Sequence, residues 1–176
     1  VFNSSMNLSL IAAIAKNYVE YRGYPIGKDG KLPWNIPEDL KRFRELTLNY
    51  PVIMGRKTYE SIPEKFRPLK NRLNIIISRN LEYKQEGAHV FHTLEAAVSC
   101  LECGFVKQEG IDFSLVYIIG GESVFKKALS IADRLELTRV DQVVEDADAF
   151  FPKIGNEWKE VKREDKQGYS FVTYER

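Results

Sequence analysis

Short, almost unbroken apolar runs recur at 8–15, 52–54, 73–77, 115–119 and 135–140, and this recurrence limits the possible folds more than any other feature of the chain. Runs of this length, most of them rich in Ile, Val and Leu, read as strands buried on both faces. Helical patterns lie between them at 37–48, 57–62, 94–102 and 123–130. Strands alternating with helices predict an α/β chain in which helices cover a largely parallel sheet. The last part breaks the rhythm: 158–163 and 169–174 flank a turn with Gly168 and alternate in polarity, predicting a closing antiparallel hairpin.

No internal repeat, low-complexity tract or linker divides the 176 residues, so one domain over 6–176 is expected. Residues 1–5 precede a methionine and are set aside as a short N-terminal extension or an expression remnant. With 26 basic and 25 acidic side chains the net charge is +1, which gives no global electrostatic reason for a nucleic-acid or membrane partner. No apolar run approaches the roughly 18 residues that span a bilayer, and the first residues lack the basic and apolar regions of a signal peptide. A monomeric cytoplasmic protein is the expectation.

Cys100 and Cys103 form the single CxxC, with His89 and His92 just upstream. A zinc site is not expected. The cysteines fall in a helical pattern with no second CxxC, and the histidines point to opposite sides of a short extended stretch.

The longest irregular stretch, 17–36, carries Gly23, Gly27, Gly30, Pro25 and Pro33. Such a segment inside a compact domain suggests a mobile lid over a site, with a plain surface excursion as the alternative.

Asp39 lies in IPEDLKRFREL, where Pro37 suits a first helical turn and Glu38 and Asp39 suit the positive end of the helix dipole. Ile36, Leu40, Phe43 and Thr47 are expected to face inward, and Asp39 falls at the margin of that stripe. A partly desolvated carboxyl there would have a raised pKa, suited to binding a protonated heterocycle. Pattern alone leaves dipole partner and functional acid both open. In LVYIIGGESVFKKAL a strand ends in Gly120 and Gly121 and runs into a helix, whose N–H groups at Glu122, Ser123 and Val124 can receive an anion. It is not the Rossmann glycine pattern, and by itself it is as consistent with a tight connection. VIMG runs into Arg56, Lys57 and Thr58, and IIIS into Arg79, placing cationic and hydroxyl groups beyond the carboxyl ends of two parallel strands, where open α/β sheets bind ligands. Arg72 opens another strand and offers a planar fork for a carboxylate, or is simply an exposed arginine.

Together SLIAAIA, GKDGKLPWNIPEDLKRF, PVIMGRKTYESIP, RPLKNRLNIIISR, VYIIGGESVFKKAL, LELTRV and DADAFFP resemble the dihydrofolate reductase family over nearly the whole length and in family order. The resemblance implies a single α/β domain with an eight-stranded, mostly parallel sheet, a C-terminal antiparallel hairpin and four flanking helices. It implies NADPH as cofactor, with dihydrofolate and antifolate-type small molecules as ligands. Asp39 matches the family's pocket carboxylate, and Thr138 its hydrogen-bonding support. Ile11, Ala12, Leu40, Phe43, Ile62, Leu69 and Ile119 match the apolar walls, and Arg72 the clamp on the substrate's glutamate. Leu32 and Trp34 match lid residues bordering the reaction centre. On the cofactor side, Ala13, Ile26 and Gly27 match nicotinamide contacts, and Gly120, Gly121, Glu122, Ser123, Val124 and Phe125 the pyrophosphate turn. Gly55, Arg56, Lys57, Thr58, Ser78 and Arg79 match the 2′-phosphate site, with His92 near the adenosine.

The implied reaction passes hydride from nicotinamide C4 to pteridine C6, with protonation at N5. Three departures stand out: Phe125 where tyrosine is usual, Tyr59 in place of a common tryptophan, and a lengthened NYVEYRGYPIG expected to alter lid motion or add surface contacts. Two other readings share part of the pattern. A pyrimidine reductase of riboflavin synthesis has the fold and the cofactor but no need of both Asp39 and Arg72. A non-catalytic folate- or nucleotide-binding module would make Phe125 a mark of decayed chemistry, against which stands the intact pocket set.

Overall fold

A computed structural model describes residues 6–176, and the expected N-terminal extension lies outside the described residues. The first strand, β1 (Asn7–Ile14), occupies the middle of an eight-stranded sheet, paired in parallel with β6 (Leu115–Gly120) and β7 (Arg134–Val140). Beyond β6 come β3 (Pro51–Gly55), β4 (Leu73–Ile77) and β5 (Ala88–Phe91), all parallel. Beyond β7 the sheet turns antiparallel with β10 (Tyr169–Glu175) and then β9 (Lys159–Asp165), the expected hairpin. The order is therefore β5-β4-β3-β6-β1-β7-β10-β9.

Four helices cover this sheet, and strand alternation decides which face each one meets. On one face, Ile11, Val52, Met54, Ile76 and Tyr117 pack with Tyr59 of α2 (Arg56–Ser61) and with Phe43 and Leu46 of α1 (Pro37–Thr47). On the other, Leu10, Ile53, Ile75, Ile118 and Leu137 pack with Leu94, Ala97 and Leu101 of α3 (Leu94–Glu102) and with Val124, Phe125 and Ala128 of α4 (Glu122–Ala128). The local reasons are visible in the chain. Pro37 starts α1, and the Thr93 hydroxyl caps α3 by accepting the Ala96 N–H at 3.0 Å.

The structure corrects the irregular stretch at 17–36. It contains β2 (Tyr24–Gly27), which pairs antiparallel with β8 (Ala149–Phe151) to form a second, two-stranded sheet. Four residues holding a proline and a glycine carry no period-2 signal, so only the distant partner reveals the strand. Gly23 shows how tightly these segments meet. Its φ is +112°, and a β-carbon there would lie 2.0 Å from the Phe151 carbonyl oxygen. Cys100 packs against the core and Cys103 is exposed at the end of α3. No helix among the described residues is long and apolar enough to cross a membrane.

Candidate active site

The parallel strands end along one edge, and a cavity of about 250 Å³ opens there. Ala12 and Ala13 from β1, Ile119 and Gly120 from β6, Thr58 and Lys57 from α2, and Ile26, Gly27 and Leu32 from the lid segment line it, together with Gly121, Glu122 and Phe125. Ligands of open α/β sheets bind at this edge. The volume suits the ring end of a dinucleotide and not a whole one, so the remainder must run over open surface.

Asp39 sits on the inward side of α1, and the Thr138 hydroxyl from β7 donates to its Oδ1. Burial raises the Asp39 carboxyl above its ordinary value, while the Thr138 hydrogen bond and the Arg42 charge oppose the rise. The neighbouring Glu38 goes the other way. The Tyr169 hydroxyl, which donates to it, and then Lys166, 3.4 Å away, hold its carboxyl below the ordinary range. Two adjacent acids of one helical turn are thus driven apart, one raised by burial and the other lowered as a surface anion.

The inward face of α1 differs from the expected stripe. Leu40 is 56% exposed and lies on the outer flank of the helix. The inward positions are Asp39, Arg42, Phe43, Leu46 and Thr47, because the face turned to the sheet is one residue ahead of the apolar spacing read from Ile36 and Leu40. Ile11, Phe43, Ile62, Leu69 and Ile119 do come together in one apolar cluster. Arg72 is half-buried, with Nη1 donating to the Thr47 hydroxyl at 3.2 Å and Nε to the Lys70 carbonyl at 3.0 Å. Burial, and next the Arg44 charge, lower its pKa, so two guanidinium groups lie near one another here. Arg44 was not singled out from the sequence; its spacing five residues after Asp39 is the signal that was available. Trp34 Nε1 is buried without a protein partner, a donor left for a ligand.

On the cofactor side, Gly120 has φ +128°, and a β-carbon on Gly121 would approach Thr58 Oγ1 to 3.2 Å. The two glycines and Thr58 therefore form a close-approach cradle that larger residues would fill. Gly55 and Ile77 are register partners, so Arg56 and Ser78, the next residues, leave the sheet side by side. Arg56 pairs with Glu60 at 2.9 Å and lies over the Tyr83 ring at 4.4 Å. Ser78 is buried, its hydroxyl accepting from the Asn80 N–H and its carbonyl 3.0 Å from His92 Nδ1, so both residues shape the turn that presents exposed Arg79. Val124 belongs to the core beneath the cradle, Ser123 stands on its outer side, and the Glu122 carboxylate accepts the Phe150 N–H at 3.0 Å. Phe125 is buried against Phe151 with ring centroids 5.0 Å apart, an apolar platform under the cavity.

The segment expected to act as a lid makes contacts of its own. A turn closed by a bridge between Val19 and Gly23 leaves Tyr21 91% exposed and lays Arg22 over the Phe150 ring at 4.3 Å. The lid is also tied to the loop before β8, where the Asp29 N–H donates to Asp148 and Asn17 and Val144 exchange two hydrogen bonds.

A family model described as dihydrofolate reductase matches residues 7–176. A dihydrofolate reductase of Haloferax volcanii is 40% identical over 177 aligned residues, covering 99% of this chain and 86% of its own length. One from Mycobacterium leprae is 42% identical over 141 residues, with 79% and 80% covered. A solved dihydrofolate reductase from Enterococcus faecalis, complexed with NADP(H) and RAB-propyl, superposes with a TM-score of 0.77 at 32% identity, covering 98% of this chain and 97% of that one. These matches favour neither a riboflavin-pathway reductase nor a binding module. The chain belongs to the dihydrofolate reductase family, oxidoreductases that reduce dihydrofolate with NADPH.

Proposed function

We propose that this chain reduces 7,8-dihydrofolate to 5,6,7,8-tetrahydrofolate through the residues gathered around Asp39 and the Gly120–Gly121 cradle. The observation that carries the assignment is the half-buried carboxyl of Asp39, fixed by Thr138, whose register partner Ala13 lines the apolar cavity that ends in that cradle. When bound, NADPH supplies the hydride to pteridine C6, and one proton is taken up at N5. Asp39 binds the amino group and ring nitrogen of the pteridine, and burial, which raises its pKa, makes it a better proton holder than a free carboxyl. The small side chains of Ala12 and Ala13 let the two rings approach, so the protein's main work is juxtaposition and charge placement. Leu32 and Trp34 close the lid side and exclude water. Arg72, with Arg44 beside it, holds the carboxylate tail of the substrate. Lys57, Thr58 and Arg79, on the edge shaped by Arg56, Ser78 and His92, take the 2′-phosphate and select NADPH over NADH.

The same reading makes antifolate-type molecules ligands of the Asp39 pocket and the protein a cytoplasmic monomer without a nucleic-acid partner. Two free thiols suit a reducing compartment. The outer strand β9 is exposed throughout and almost wholly charged, which disfavours edge-to-edge association.

The test is loss of NADPH absorbance on adding dihydrofolate, with Asp39→Asn assayed alongside. Turnover by the unmodified protein and a fall of about 100-fold or more in the variant are expected. No turnover, or an equally active variant, refutes the assignment.

A further inference from the structure

α1 is joined to β7 by two rungs. Asp39 and Arg42 lie three residues apart on one face of the helix, and Thr138 and Glu136 lie two apart on one face of the strand. The first rung is the Thr138 hydroxyl on Asp39. The second is an ion pair between Arg42 Nη2 and Glu136 Oε2 at 2.8 Å, with side chains only 20% and 8% exposed. β10 completes it: the Thr173 hydroxyl donates to the same Glu136 oxygen at 2.8 Å, and the Arg42 guanidinium lies over the Phe171 ring at 4.5 Å. A buried ion pair is weak support for stability, because desolvation offsets the attraction. Its location one helical turn from the substrate-binding acid needs another account.

We propose that Arg42 and Glu136 are positioning residues for Asp39: the pair fixes the rotation of α1 on β7, and its two charges tune, in opposite directions, the protonation of the carboxyl that grips the pteridine. The inference rests on the assignment of Asp39 as the substrate's partner.

The charges around Asp39 can be enumerated. On its own helix Arg42 faces it, whereas the Glu38 carboxylate turns outward to Tyr169 and Lys166. From β7 come the neutral Thr138 and, behind Arg42, Glu136 with Arg134 at 3.8 Å. β10 contributes Tyr169 and Thr173, and β6 contributes Tyr117, whose hydroxyl is pushed up to about 12, first by burial and then by Glu136, and stays neutral. Arg42 is therefore the half-buried cation on Asp39's side of the pair and Glu136 the anion that moderates it. Removing the cation must favour the protonated carboxyl. Removing the anion must favour the carboxylate.

The experiment is the pH dependence of single-turnover NADPH oxidation with dihydrofolate for the unmodified protein, Arg42→Met, Glu136→Gln and Arg42→Lys. Met preserves the stem over Phe171 and Gln preserves the shape of Glu136. The midpoint of the profile should move up in Arg42→Met and down in Glu136→Gln, each by about half a unit or more. Arg42→Lys, which keeps the charge, should hold its midpoint even if its melting temperature falls. Shifts of the same sign, unmoved midpoints in folded variants, or a lysine variant that behaves like methionine overturn the proposal. If Arg42→Met does not fold, the downward shift in Glu136→Gln and the unmoved midpoint in Arg42→Lys decide alone. An unmodified protein that does not turn over removes the assignment of Asp39 and this inference with it, whereas normal turnover with unmoved midpoints removes only this inference.

Discussion

The Thr138 hydroxyl reaches the Asp39 carboxylate across 99 residues of chain, and this bond joins the helix that carries the acid to the strand beside the central one. It also explains why the acid is oriented as well as buried. A carboxylate that accepts from a fixed hydroxyl has one oxygen committed and the other directed at the ligand.

The pH dependence of stability follows from the same residue. The Asp39 carboxyl lies above its ordinary 3.8 in the folded protein, with burial the main cause. The folded state therefore holds this proton more tightly than the unfolded chain. The carboxyl costs no stability below the ordinary value, and progressively more as pH rises from there through the raised value. Asp39→Asn removes that cost. Urea unfolding should show the variant gaining on the unmodified protein as pH rises from acid to neutral, and a gain that shrinks with pH would contradict the burial argument.

Arg72 is held in place by Thr47 and Lys70 before any ligand arrives. Arg72→Leu should raise KM for dihydrofolate by about 10-fold to 100-fold, the range for losing charge-assisted hydrogen bonds. The KM for NADPH should stay the same. A pterin without the glutamate tail should be reduced equally well by both proteins, and steady-state kinetics with the two substrates reads this directly.

The cradle at Gly121 has room for no side chain that leaves Thr58 undisturbed, since even a β-carbon reaches its Oγ1 at 3.2 Å. Gly121→Val should weaken NADPH binding at least about 10-fold, because the backbone can no longer approach the phosphates. Titration of tryptophan fluorescence measures this, and an unchanged circular-dichroism spectrum shows that the sheet survives.

Gly23 combines a positive φ with a backbone oxygen in the space of its missing side chain. Gly23→Ala should cost about 2–3 kcal/mol in a urea titration, through strain and displacement of β8. A loss below about 0.5 kcal/mol would mean that the lid segment relaxes without straining β8.

Much of this was legible in advance where periodicity is strong. The buried parallel strands, all four helices and the closing hairpin are written in apolar runs and alternation, and α3 has the boundaries read from the sequence. What was not legible depends on partners far away in the chain. β2 exists because β8 lies beside it, and Leu40 is exposed because α1 meets the sheet on the Asp39 side. Pattern alone left Asp39 a possible dipole partner; the motif around it suggested more, and the structure added burial and the Thr138 bond. The Arg42–Glu136 pair had no sequence signal, since an arginine on a helix and a glutamate on a strand both read as surface residues until the two are placed 2.8 Å apart.

The anchoring of the lid has a consequence for how the cofactor leaves. With β2 paired to β8 and α1 beginning at Pro37, the span between them is 28–36, held on its way by the Asp29 N–H on Asp148, and a loop of that length fixed at both ends extends no further than roughly 15 Å from its anchors. The hollow formed by Tyr83, Lys84, Gln85, His89 and His92 includes no residue of that span. On the proposed placement of NADPH, release of the nicotinamide end should require this loop to open, while the adenine end should exchange with solvent independently of it. Salt should loosen the outer end, and lid substitutions the inner one.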